Sequence, residues 1–205
     1  MKQILLATHN KAKLGELKLG TKELENNNWK VLSLHDVNIH QDPEETGKTF
    51  EENAILKAKF YAYLSGIPTI ADDGGLMIPF LNNDPGVKSK RWLGRDATDE
   101  ELIQHTLLHL RGVKKIDRTA YLQTCLCYFN PLTNQVLTRI DRIKGHIALK
   151  KSGRPTEGYP YRALFVVEEF NKYYDELTDQ EHHAINHRLK ALRWLVDKIL
   201  SGLVE

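Results

Sequence analysis

The chain has 205 residues, 41% hydrophobic and 27% charged, with a formal net charge of +2. That is long enough for one compact domain with a sizeable core, expected over residues 1–205. The charge is too weak to argue for nucleic acid, and no dense basic stripe or RNA-binding signature is present. No apolar stretch approaches membrane-spanning length and no signal peptide opens the sequence, so a cytoplasmic protein with no membrane partner is expected. Cys125 and Cys127, spaced C-x-C in a strand-like run, have poor disulfide geometry and read as buried thiols in a reducing compartment.

In chain order, "KQILLAT" predicts a short buried strand. A helix follows from Asn10, with Leu14 and Leu17 on its apolar stripe, and "LENNNW" reads as a polar turn. "WKVLSL" is a second strand and "NIHQDPEETGK" a loop. "TFEENAILKAKFYAYLSG" predicts a helix with a T-x-x-E capping box at Thr49 and Glu52 and a glycine stop at Gly66. "IPTIADDGGL" reads as a strand that breaks at Gly74-Gly75. "DATDEELIQHTLLHLRG" is a helix, and residues 118–149 read as two or three antiparallel strands turning at "NPLTN". "TDQEHHAINHRLKALRWLVDKIL" predicts one long closing helix, again with a capping box, at Thr178 and Glu181. Strand-helix units followed by a meander imply an α/β protein with a mixed sheet.

Three stretches carry chemistry. In "ATHNKAKLGEL" a strand leads through a turn into a helix N-terminus, a ready anion site. Thr8 and Asn10 offer side-chain hydrogen bonds there and Lys13 a positive charge, although no P-loop motif is present. Read more simply, Asn10 is an N-cap beside surface lysines. In "EETGKTFEENAILKAKF" the helix turns roughly 100° per residue, which places Lys57 about 40° from Tyr61 on the edge of the apolar face. Its ammonium either reaches a cleft or snorkels along the core edge. In "ADDGG", Asp72 and Asp73 sit at a strand end, where carboxylates hold Mg²⁺ for phosphate substrates, or else form a solvated turn. Two histidine pairs at i, i+4, His105/His109 and His183/His187, have spacing compatible with Zn²⁺, but no third ligand is evident.

"ATHNKAKLGEL", "ETGKTFEENAILKAKFYA", "ADDGGL", "DPGVKSKRW" and "NHRLKAL", in that order, resemble the inosine triphosphate pyrophosphatase family, the Ham1-like or RdgB-like enzymes. The resemblance spans nearly the whole chain, and T-G-K-T-F-E-E-N-A-I-L-K-A is its most specific block. It implies an elongated mixed β-sheet flanked by helices, two lobes with a central active-site cleft, and usually a homodimer. It also implies Mg²⁺-dependent (or Mn²⁺-dependent) hydrolysis of non-canonical purine triphosphates to a monophosphate and pyrophosphate. By matched position, Thr8, Asn10, Lys13 and Lys57 hold the triphosphate. Glu44 or Glu45, with Asp73, binds the metal, and Asp72 or Asp73 orients or deprotonates the attacking water. Gly74, Tyr159, His187 and Arg188 also contact substrate, the last three at the nucleobase.

The chain departs from the family at the base-reading end. In "TEGYPYRALF" the aspartate of G-F-G-Y-D-P falls on Pro160, or is displaced by a local insertion. The lysine before S-H-R falls on His182, its serine on Asn186, and the serine of A-D-D-S-G-L on Gly74. Relaxed selectivity among keto bases, or an unusual preference, is therefore expected. The rival reading is a nucleotide-binding or sensing protein with weakened turnover.

Overall fold

The structure, a computed structural model, describes residues 1–154 and 157–202. The chain forms two compact units, each built from separated segments: Met1–Asp73, Thr124–Asp141 and His187–Glu205 in the first, Gly74–Gln123 and Arg142–Asn186 in the second. The strands follow the order β2-β1-β3-β5-β6-β7-β8, with β4 paired to β3. These are β1 (Lys2–Ala7), β2 (Trp29–Ser33), β3 (Thr69–Ile78), β4 (Asp84–Pro85), β5 (Thr119–Phe129), β6 (Val136–Ile147), β7 (Phe165–Val167) and β8 (Lys172–Tyr173). With the helices around it, this is the mixed-sheet α/β architecture expected from the pattern of elements.

In the first unit, β1 pairs in parallel with both β2 and β3. Its helices are α1 (Lys11–Gly20), α2 (Lys22–Asn26), α3 (Phe50–Ser65) and α6 (His187–Leu200). Leu192, Leu195, Val196 and Ile199 recur at helical spacing on α6 and bury against Ile4, Leu6, Leu17 and Ile70, and Leu189 is buried on the same helix. Asn10 caps α1, its Oδ1 accepting from the backbone N–H of Ala12 (2.9 Å) and Lys13 (3.1 Å). Thr49 caps α3 by accepting from Glu52 N–H. The expected box is only half made, because the Glu52 carboxylate takes the N–H of Lys48 instead. Gly66, at φ 72°, ends α3 as expected.

The second unit holds α4 (Asp99–His109) and α5 (Asp179–Ile185), each entered through a complete capping box, at Thr98 and Thr178. Its core gathers Leu76, Ile78, Leu102, Ile103, Ile147, Phe165 and Tyr174. Buried Arg118 donates to the carbonyls of Leu110, Ile147 and Ala148, each at 2.7 Å, and so ties the end of α4 to the end of β6.

Three local expectations fail for physical reasons. "LENNNW" is not wholly a turn, because α2 runs to Asn26 before Asn28 takes a left-handed φ of 60°. The closing helix is two, α5 and α6, separated at Asn186, whose ψ of 104° is extended. His183 and His187 therefore do not share a helix face. The strand "TIADDGGL" does not break: β3 runs on to Ile78. Gly75 serves packing rather than a turn, since a Cβ there would lie 2.0 Å from Ser89 Oγ, the atom that accepts Leu76 N–H.

Replacing Arg118 by Leu strands the buried carbonyl of Ile147, and removes a partner from half-buried Ala148 and from Leu110, which keeps Val113 N–H. Each charge-assisted bond contributes about 1.5–3 kcal/mol, so the urea midpoint of the variant is expected to drop by the equivalent of at least one such bond.

Candidate active site

Because β3 continues through Asp72 and Asp73, the two carboxylates point to opposite faces of the strand. Each meets its own set of partners. Asp72, on the face of Ile70, receives Lys13 Nζ from α1 and Arg188 Nε from α6, both at 3.1 Å from Oδ2. Arg188 also donates to Glu16 at 2.6 Å, one turn beyond Lys13 on α1. Asp73, on the other face, receives Lys57 Nζ (2.9 Å) and Asn53 Nδ2 (3.2 Å), both from α3. Lys57 Nζ also bonds Glu45 at 2.7 Å. This ammonium is not snorkelling, since its side chain is only 12% exposed and sits between two carboxylates.

The two aspartates differ in their proton affinity. Burial acts to raise Asp72, but the cations of Lys13, Arg188 and Lys57 outweigh it and hold the carboxyl well below the usual range. For Asp73, burial prevails over Lys57 and Lys13, the Glu45 charge adds to it, and the carboxyl is pushed up. Lys57, despite its own burial, is raised to about 12 by Asp73, Asp72 and Glu45. The strand thus presents a locked anion next to a carboxylate suited to accept a proton.

The remaining expected residues are placed as follows. Thr8 Oγ1 accepts Asn10 N–H at 3.2 Å, so both side chains shape the turn into α1. No acidic residue lies in the first turn of α1, which leaves its N-terminus electropositive. Glu44 is exposed, and it is Glu45 that reaches Lys57. The loop closes on α3 through Gly47, whose N–H donates to Asn53 Oδ1 at 2.8 Å. A Cβ at Gly47 would lie 2.5 Å from that oxygen, so only glycine fits. His187 is buried beside Arg188 at the start of α6. In the second unit, Gly74 is half-buried within β3, and Pro160 opens a short 3₁₀ turn, Pro160–Ala163. There the Arg162 guanidinium lies 3.5 Å from the ring centre of half-buried Tyr159 and 4.6 Å from that of Tyr174, whose edge meets His182. Thr156, which opens that stretch, lies outside the described residues. His105 meets Trp92 edge-on, and His109 lies tilted against both rings.

Sequence reasoning missed Glu16, although its i+3 spacing from Lys13 placed it on the same helix edge. Among the described residues no group of three His, Cys, Asp or Glu side chains is arranged to hold a metal by itself. What is present suits Mg²⁺ or Mn²⁺, which bind through one or two carboxylates plus substrate phosphates. Glu45 and Asp73 already hold one cation between them, the Lys57 ammonium. Asp72 Oδ1 is fully buried with no hydrogen-bond partner among the described residues.

Fold and cluster together define a mixed-sheet α/β protein with a buried centre of carboxylates and cations. The sequence profile of the Ham1 family matches residues 4–198. A dITP/XTP pyrophosphatase of Bacillus subtilis is 38% identical over 205 residues, covering 100% of this chain and 98% of its own. One from Elusimicrobium minutum is 39% identical, covering 96% and 99%. The solved structure of a HAM1 protein from Coxiella burnetii superposes with a TM-score of 0.86 at 35% identity, over 98% of this chain and 100% of that one. The chain belongs to the Ham1 family.

Asp72→Asn takes the carboxylate from half-buried Lys13 and one of two from buried Arg188, and is expected to destabilise the fold by up to about 3–5 kcal/mol, the cost of breaking a buried pair. Asp73→Asn, at the carboxylate that burial already disfavours as an anion, should cost less. Because the folded pKa of Asp72 is depressed, its stabilisation is present above about pH 4 and is lost as the pH falls towards the folded value. Urea titrations across that range should show a shallower acid loss in Asp72→Asn than in the unsubstituted protein.

Proposed function

We propose that this chain hydrolyses nucleoside triphosphates between the α- and β-phosphates, releasing pyrophosphate and a nucleoside monophosphate. Its substrates on this reading are non-canonical keto-purine nucleotides such as dITP, ITP and XTP. The observation that carries the reaction is the split pair on β3: Asp72 kept ionised by Lys13 and Arg188, Asp73 pushed up beside Lys57. The substrate class is supported by relatives named dITP/XTP pyrophosphatases that match over essentially the full chain. Residues 1–205 then form one pyrophosphatase domain of two lobes, acting as a cytoplasmic homodimer. No helix among the described residues is long and apolar enough to cross a membrane.

The geometry supports the following roles. The turn at Thr8 and Asn10 offers the electropositive end of α1 to phosphate. Lys13 and Lys57 supply charge from two helices. Asp73 orients the attacking water and takes its proton. Glu45 and Asp73 are the residues that would hold Mg²⁺. When bound, the ion neutralises phosphate oxygens and makes a nearby water easier to deprotonate. The need for it is electrostatic: three cations (Lys13, Lys57, Arg188) already face four carboxylates (Glu16, Glu45, Asp72, Asp73). A triphosphate adds more negative charge than this cluster can absorb.

A protein that only senses nucleotides has no use for a proton-accepting carboxylate oriented by Asn53 and Lys57, which disfavours the non-catalytic reading. At the base end, Pro160 and His182 stand where the family pattern has aspartate and lysine. Stacking without a matched set of donors and acceptors discriminates poorly. Rejection of GTP is therefore expected to be looser than a matched pocket gives.

Pyrophosphate release from a panel of dITP, ITP, XTP, GTP, ATP and UTP tests both statements. The keto purines should be cleaved fastest and excess EDTA should abolish the reaction. Full activity in EDTA sinks the metal role, and ITP and XTP turning over orders of magnitude faster than GTP sinks the loosened pocket. Lys57→Met keeps the buried stem and removes the charge. Its kcat/KM should fall about 10²–10³-fold, as for loss of one preorganised donor, and unchanged kinetics would leave Lys57 a purely structural residue.

A further inference from the structure

Glu45 lies in a segment, residues 39–47, with no regular secondary structure. Left free, such a loop would have to be ordered each time a cation bound, at about 1–2 kcal/mol per residue. Lys57 and Gly47 anchor its far part. Its near part is held by a contact that the reaction does not itself require. The Tyr61 hydroxyl donates to Asp42 Oδ1 at 2.7 Å. Tyr61 is 1% exposed and follows Lys57 by one helical turn on α3, so the two side chains are neighbouring rungs on one face. One grips Asp42 and the other Glu45, three residues apart in the loop. The Asp42 side chain is 72% exposed, and His9 Nε2 lies 3.7 Å from the same oxygen. His9 stands between Thr8 and Asn10, so this carboxylate links the phosphate turn to the acidic loop. Burial, reinforced by Asp42 and Glu45, pushes the phenol far above its usual range, and the hydroxyl therefore remains a donor at any working pH.

We propose that Tyr61, acting through Asp42, is a positioning residue that pins residues 41–45 and so holds Glu45 beside Asp73, ready for a divalent cation. The proposal rests on the pyrophosphatase reading for the use made of that cation. The geometry of the clamp does not depend on it. Outer partners of this kind commonly alter metal affinity 10–100-fold without touching the metal.

The test uses the full-length protein and two readouts. Mn²⁺ binding without nucleotide is followed by electron paramagnetic resonance of the free ion, and Mg²⁺ activation by pyrophosphate release from dITP. Tyr61→Phe keeps the ring in the core and deletes one hydrogen bond. Asp42→Ala deletes the acceptor from an exposed loop residue, and Asp42→Asn keeps an acceptor oxygen. Tyr61→Phe and Asp42→Ala should each weaken Mn²⁺ binding about tenfold and raise the half-activating Mg²⁺ concentration in parallel, with kcat at saturating Mg²⁺ little changed. The double variant should be no worse than either single one, and Asp42→Asn should retain most of the affinity. Unchanged Mn²⁺ and Mg²⁺ curves with a lowered melting temperature would make Tyr61 merely structural and overturn the proposal. Additive effects of the two substitutions, or an unsubstituted protein that holds no Mn²⁺, overturn it as well. If the unsubstituted protein releases no pyrophosphate from dITP, the assigned reaction fails while the Mn²⁺ readout still judges the clamp.

Discussion

One buried carboxylate organises the first unit. Asp72 is reached by Lys13 from α1 and by Arg188 from α6, and Arg188 is held in turn by Glu16 on α1. Strand, N-terminal helix and C-terminal helix therefore converge on one ion-paired network, from parts of the chain more than a hundred residues apart. Taking these charges out of water is expensive, and burying apolar groups of the same volume would generally give as much stability. The network is better explained by what it specifies. It fixes where α1 begins relative to β3, and hence where the turn at Thr8 and Asn10 sits relative to the aspartate pair.

The alternation of side chains along β3 then does the electrostatic sorting. Two adjacent aspartates in a loose turn would repel each other and share similar surroundings. On a continuous strand one faces α1 and α6 and meets two cations. The other faces α3, where Lys57 is divided between it and Glu45. The same dipeptide thereby yields one permanently ionised group and one with raised proton affinity, a division of labour set by the two-residue period of a strand.

Much of this was legible in the sequence, and the reasons are specific. The Thr49 cap, the Gly66 stop and the apolar stripe of α6 are local signals, and each element lies where its signal puts it. Lys57 was placed on the inner edge of α3 by helical geometry alone. What stayed hidden depended on tertiary contact. "DDGG" looks like a turn because Gly75 resembles a breaker, and only its approach to Ser89 reveals a packing role. Glu16 looks like a surface helix residue until Arg188 arrives from the far end of the chain. Which of Glu44 and Glu45 reaches Lys57 turns on one residue of loop register, which no pattern encodes. The break at Asn186 was masked because the apolar spacing continues across it.

The departures from the family pattern are not scattered. Gly74, Pro160, His182 and Asn186, the four substituted positions, all belong to the second unit. Thr8, Asn10, Lys13, Lys57, Asp72, Asp73, His187 and Arg188, which keep the pattern, belong to the first, while the kept residues of "DPGVKSKRW" belong to the second. Each unit has its own hydrophobic core. The ion-paired network shows why the first unit resists change. Removing Asp72 takes a carboxylate from both Lys13 and Arg188, whereas a stacked Arg162 between Tyr159 and Tyr174 tolerates new neighbours at much smaller cost. Ion pairing in the first unit and ring stacking in the second are thus different kinds of constraint on substitution.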